Sequence, residues 1–163
     1  MKKIIVIGCP GSGKSTFSRA LQQRTGLPLY HLDQLFWNAD GTSVSREVFC
    51  ARLEPVLACD AWIIDGNFSF TMPLRMAACD TVFFLDYPVD VCLDGIRARK
   101  GKPRPDMPAI LPDDDDPEFV AVIRSYPDRS RPQVLQLLAR HRDKQIVIFH
   151  SREESDLWLN QYK

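Results

Sequence analysis

Short apolar runs alternate with stretches of helical period along this chain. Ile4-Ile5-Val6-Ile7 is continuously apolar, as expected of a strand buried on both faces. A glycine-rich turn follows, and Thr16 to Arg24 carries Phe17 and Leu21 four apart before Gly26, which predicts a helix with a glycine stop. Leu29-Tyr30-His31-Leu32 predicts a short second strand ending at Asp33. Residues 45–59 set Phe49, Leu53, Val56 and Leu57 on one helical stripe. Trp62-Ile63-Ile64 predicts a third strand ending at Asp65-Gly66, and Thr81-Val82-Phe83-Phe84-Leu85 a fourth ending at Asp86. Pro88 opens a helix to about Arg99. Further on, Val134, Leu137, Leu138 and His141 share a helical face, and Gln145 to Phe149 predicts a fifth strand. Ser151-Arg152-Glu153-Glu154 forms a capping box for a last helix with Leu157 and Trp158 inward.

Continuous strands alternating with helices imply an α/β fold of three layers, a five-stranded parallel sheet with helices on both faces. Residues 100–117 break the rhythm with prolines at 103, 105, 108, 112 and 117, basic residues at one end and Asp113 to Asp116 at the other. This composition predicts a mobile lid insertion, with Asp116 capping the next helix and Pro117 at its first position. Without an internal repeat, residues 1–163 are expected to form a single domain, a length that suits one core.

Lys plus Arg and Asp plus Glu number 21 each, so the formal net charge is zero. Strong direct DNA binding is not expected of such a chain, because neutralising phosphates needs a basic excess. No apolar run approaches a membrane span, and Met1-Lys2-Lys3 passes straight into the first strand, so a cytoplasmic protein, monomer or homodimer, is expected. The five cysteines are scattered and form no C-x-x-C, which fits reduced thiols. Cys9 stands out because it sits inside the glycine-rich turn, where positive field could lower its pKa.

That turn, Gly8-Cys9-Pro10-Gly11-Ser12-Gly13-Lys14-Ser15, is a complete G-x-x-x-x-G-K-[ST] phosphate loop. Its glycines let backbone N–H groups turn toward a β-phosphate. Lys14 can reach the β- and γ-phosphates, and the Ser15 hydroxyl can ligate Mg²⁺. Strand, loop and helix N-terminus together make an anion site. Asp33, Asp65 and Asp86 each end a predicted strand, where an open α/β sheet faces its ligand crevice. Each could meet Mg²⁺ or substrate, or serve as a turn or cap. Phe36, Trp37, Phe68 and Phe70 could line a pocket beside Asp33 or belong to the core. Arg97, Arg99, Lys100, Lys102, Arg104, Arg124, Arg129 and Arg131 offer mobile positive charge for phosphoryl transfer, or are solvated surface charges.

Gly8 to Ser15, Ile63-Ile64-Asp65-Gly66 and Leu85-Asp86-Tyr87-Pro88, with a lid-like insertion after the next helix, resemble the adenylate-kinase-like branch of P-loop kinases. Lys2 to Thr16, Tyr30 to Trp37, Trp62 to Phe68 and Pro103-Arg104-Pro105-Asp106 more narrowly resemble the bacterial DNA topology modulation proteins. The resemblance covers almost the whole chain. It implies a five-stranded parallel sheet, use of ATP and Mg²⁺, and small-molecule kinase activity on an unidentified acceptor bearing a hydroxyl or phosphate.

By that resemblance Gly8, Gly11, Ser12, Gly13, Lys14, Ser15 and Thr16 hold the nucleotide, and Ser15 with Asp65 faces the metal. Lys14, Asp33, Arg99, Arg129 and Arg131 are the catalytic candidates. Asp33 resembles the strand-two carboxylate that orients or deprotonates the accepting hydroxyl in shikimate- and gluconate-type kinases. It is expected one strand further out than Asp65. Two departures stand against AMP phosphorylation. Gly95 replaces an adenine-stacking arginine, and Gly66 is followed by Asn67-Phe68-Ser69-Phe70-Thr71, where adenylate kinases carry a phosphate-clamping arginine; Arg75 is the first available. The alternative function is a regulatory ATP-binding protein affecting DNA topology or gene expression. A bare ATPase is disfavoured by the lid.

Overall fold

The computed structural model describes residues 1–102, 104, 106–107 and 116–162. Its elements are β1 (Lys3–Gly8), α1 (Lys14–Thr25), β2 (Leu29–His31), α2 (Leu32–Phe36), α3 (Arg46–Ala58), β3 (Trp62–Asp65), α4 (Met72–Ala78), β4 (Thr81–Leu85), α5 (Val89–Arg99), α6 (Pro117–Arg129), α7 (Arg131–Arg140), β5 (Gln145–Phe149) and α8 (Arg152–Gln161). All strand pairs are parallel, in the order β2-β3-β1-β4-β5. Ile5 of β1 lies between Ile64 of β3 and Val82 of β4. Every residue of β3 and β4 is buried, as a parallel sheet covered on both faces requires.

Two aromatic clusters fix the helices. Phe17, Phe83, Phe149 and Trp158 pack together, Phe83 and Trp158 with centroids 4.7 Å apart, joining α1 and α8 to the sheet. Phe36, Phe49, Phe68 and Phe70 join α2 and α3 to the chain after β3. Contacts of this kind contribute about 0.5–1.5 kcal/mol per pair beyond area burial. The caps follow the sequence: Gly26 closes α1 in the left-handed region, and the side chains of Ser45, Asp116 and Ser151 cap α3, α6 and α8.

The structure departs from expectation at three points. β2 pairs only with β3, whose last residue Asp65 already faces His31, so Leu32 has no ladder partner and the chain turns into α2. Asp33 therefore sits in the first turn of a short helix rather than at a strand end. Pro88 is the N-cap of α5, one residue before its first helical position. Leu157 points outward, 58% exposed, because the inward stripe of α8 runs through Ser155, Trp158 and Leu159. The expected lid over 100–117 falls largely outside the described residues, which retain 100–102, 104, 106–107 and 116–117 of it. Among the described residues no helix is long and apolar enough to cross a membrane.

Candidate functional site

A cleft of about 930 Å³ opens beside the β1–α1 loop, lined by the start of α1, Asp33, Trp37, the Gly66–Phe68 turn, α5 and Arg152. The loop owes its shape to Gly11 (φ 84°) and Gly13 (φ 92°), both in the left-handed region open chiefly to glycine. α5 packs directly on it. A methyl group added at Gly11 would overlap the Cys92 carbonyl, and one at Gly95 would overlap the Gly11 carbonyl oxygen. Gly95 is thus a packing requirement, and no arginine fits there.

Arg152, the first residue of α8, stands close by. Its Nη2 donates to the carbonyls of Gly11 (3.3 Å) and Val91 (3.4 Å), and a methyl on Gly95 would lie 2.8 Å from that nitrogen. The sequence marks Arg152 only as part of a capping box. Substituting Gly95 with alanine is expected to cost about 1–3 kcal/mol, the usual penalty of overpacking. Denaturant unfolding checks this, and wild-type stability in the variant would show that α5 can give way.

Lys14 Nζ donates to the carbonyls of Gly8 (3.0 Å) and Cys9 (3.1 Å). Burial pulls its pKa down, and the charges of Asp65 and Asp33 oppose that. Asn67 clamps the end of β1 from the turn after β3: its Nδ2 donates to the Gly8 carbonyl (2.8 Å) and its Oδ1 accepts from the Gly8 N–H (3.2 Å). Ser12 is buried, and its Oγ has no partner among the described residues. Cys9 is also buried; its contact with Cys92 and its burial push its thiol pKa up, so it stays protonated.

The strand-end carboxylates separate in role. Asp65 is 4% exposed, receives His31 Nδ1 at 2.9 Å on Oδ1, and leaves Oδ2 buried with no partner among the described residues. Burial opposes the His31 cation, but the hydrogen bond and charge of Asp65 outweigh it and raise the His31 pKa. Asp33 lines the cleft; burial raises its pKa, Lys14 opposes this, and Asp65 adds to it. Asp86 is committed elsewhere, bound by Arg131 through Nε (2.7 Å) and Nη2 (2.8 Å). Neither Arg131 nor Arg129 lines the cleft, whereas Arg99 does.

Of the loop residues, Gly11, Gly13, Lys14, Ser15 and Thr16 line the cleft, while Gly8 and Ser12 lie behind them. Trp37 and Phe68 form an aromatic wall, with Phe36 packed behind at 5.0 Å from each. Arg75, the first arginine after Gly66, is wholly buried and holds backbone rather than facing the cleft.

Oxygen donors suit a hard divalent cation: the half-buried Ser15 hydroxyl lies at the cleft, and Asp65, which does not itself line the cleft, has a buried Oδ2 with no partner among the described residues. Among the described residues no three His, Cys, Asp or Glu side chains are grouped to hold a metal by themselves. That suits Mg²⁺, which commonly shares its shell with substrate phosphates and water.

The shikimate kinase of Bacteroides thetaiotaomicron has a similar structure, with a TM-score of 0.61 at 20% identity, over 97% of this chain and 94% of that one. No protein-family model and no curated protein matches the chain. The likeness establishes the fold that the two share, an α/β fold with a five-stranded parallel sheet.

Proposed function

We propose that this protein transfers a phosphoryl group from MgATP to a small acceptor bearing a hydroxyl or phosphate. The observation that carries the reading is one cleft holding both halves of such a site: the phosphate loop with Lys14, and Asp33 beside an aromatic wall. A hydroxyl is the better-supported acceptor group. A partly buried carboxylate can orient a hydroxyl and take its proton, whereas beside an anionic phosphate it would repel.

The loop N–H groups and Lys14 would bind the β- and γ-phosphates, with Ser15 and Asp65 on the metal side. When bound, Mg²⁺ neutralises charge on the transferring group. Arg99 lies within reach of the same cleft. Asp33 stands on the acceptor side, one strand further out, since β3 lies between β1 and β2. Trp37 and Phe68 would shield the acceptor from water and offer it a flat apolar face. The likeness to a shikimate kinase supports a kinase, and at 20% identity it does not carry that protein's acceptor over to this chain.

The direct test is a screen of small polyols, nucleosides and hydroxy acids for ATP consumption against a no-acceptor control, with phosphorus NMR of the product. ATP binding with no acceptor-stimulated turnover across the screen would count against transfer.

Asp33 supplies a pH test. It acts only when ionised, and its pKa is raised. Transfer should therefore fall as pH drops through a value above the ordinary aspartate range of about 3.9. Asp33→Asn should lose this acid limb, lower turnover by about 10²–10⁴-fold, and keep MgATP binding. The linked stability effect has the opposite sign. A raised folded-state pKa means the fold disfavours the ionised form, a cost absent below the unfolded pKa and fully present above the folded one. Asp33→Asn should then raise the melting temperature at neutral pH and leave it unchanged near pH 3. An unaltered acid limb in the variant would remove Asp33 from the chemistry.

A further inference from the structure

Asp106 belongs to the segment after α5, 91 residues from Ser15 in sequence, yet its Oδ2 accepts a hydrogen bond from the Ser15 hydroxyl at 3.0 Å. It is 6% exposed. Burying a carboxylate is costly unless it is paired. Here the same oxygen also receives Arg104 Nη2 at 3.0 Å. Two donors, the Ser15 hydroxyl and the Arg104 guanidinium, thus converge on one oxygen of this buried carboxylate and compensate its burial. Asp65, the carboxylate expected on the metal side, is engaged by His31 instead and does not line the cleft.

A serine hydroxyl has one proton to donate and two lone pairs. Donating that proton to Asp106 fixes the rotor and leaves the lone pairs for a cation. Resting on the proposed use of MgATP, we infer that Asp106 is a positioning residue for the metal, orienting Ser15 and placing a negative charge beside the cation.

Two opposite effects follow from one substitution. Without metal, the Asp106 charge repels a polyphosphate; with metal, it supports the cation. Asp106→Asn should bind metal-free ATP more tightly than wild type. It should also lose about 10–100-fold of the affinity that Mg²⁺ adds, the range typical of partners that orient a metal ligand. A purely structural role would weaken both conditions together.

The experiment is calorimetric titration of the full chain with ATP, in chelator and in Mg²⁺, for wild type, Asp106→Asn and Asp106→Glu, with thermal unfolding to check the fold. Asp106→Glu keeps the charge but moves the oxygen from Ser15, so it carries the test if Asp106→Asn does not fold; a reduced Mg²⁺ gain is expected. A full wild-type Mg²⁺ gain in whichever variants fold overturns the inference alone. A wild-type chain that binds ATP without regard to Mg²⁺ also overturns it and leaves nucleotide binding standing. A wild-type chain that binds no ATP in either condition overturns this inference and the kinase reading together.

Discussion

Substituting Lys14 with alanine is expected to lower acceptor-dependent turnover by about 10²–10³-fold, the usual effect of removing one preorganised charge at a transferring group. The ammonium is largely desolvated and held by the Gly8 and Cys9 carbonyls, so its charge acts in a weakly screened setting. It is also the principal cation opposing the upward shift of Asp33. Its loss should therefore move the acid limb of residual activity to still higher pH. Lys14→Arg should not rescue, because a planar guanidinium cannot enter a loop whose carbonyls close around a point charge. Turnover across pH for the three proteins checks both effects. A folded Lys14→Ala protein with wild-type turnover would sink the kinase assignment.

The phosphate loop and the five strands are legible in the sequence because each is a local pattern. Ile4 to Ile7 is continuous and apolar, and Gly8 to Ser15 carries its chemistry in its spacing. The supports of the site are not local. Asn67 meets Gly8 across 59 positions, Asp106 meets Ser15 across 91, and Arg152 meets Gly11 across 141. No periodicity encodes such pairs, since only the packed sheet brings them together. Asp65 and Asp86 look alike in sequence, each closing an apolar run. What separates them is the partner that arrives: His31 from the neighbouring strand for one, Arg131 from α7 for the other. Gly95 is legible as a departure from adenylate kinases, but its reason is the Gly11 carbonyl against which it packs. Pro103-Arg104-Pro105-Asp106 is visible as a motif, and the structure adds the target of its aspartate.

Arg75→Met is expected to destabilise the fold by about 2–4 kcal/mol, as buried acceptors lose a charged donor. Arg75 is fully buried and no carboxylate pairs with it among its hydrogen bonds. Its guanidinium instead donates to the carbonyls of Gly66, Asn67 and Phe68, and its Nε to the Thr71 hydroxyl. Burial lowers its pKa to about 10, so it remains a cation at neutral pH. Two effects oppose each other on substitution: removing the charge relieves its desolvation, and removing the donors takes them from the Gly66 and Asn67 carbonyls, while the Phe68 carbonyl keeps the Thr71 N–H and hydroxyl. The second should win, because a methionine fills the volume but leaves the carbonyls of an irregular turn with no ladder to join. Phe68 sharpens the cost. It sits at φ 32°, a strained position for a residue with a side chain, and its carbonyl is held by Arg75 and by the Thr71 hydroxyl. Released, the turn should relax, moving Asn67 from Gly8 and Phe68 from the cleft wall. The variant should therefore lose stability and acceptor affinity together while Lys14 and the loop glycines stay in place. Arg75→Lys should not restore either, since a single ammonium cannot span three carbonyls. Denaturant unfolding of both variants beside Asp33→Asn gives opposite signs if these assignments hold. Wild-type stability in Arg75→Met would mean that water satisfies the turn without the guanidinium.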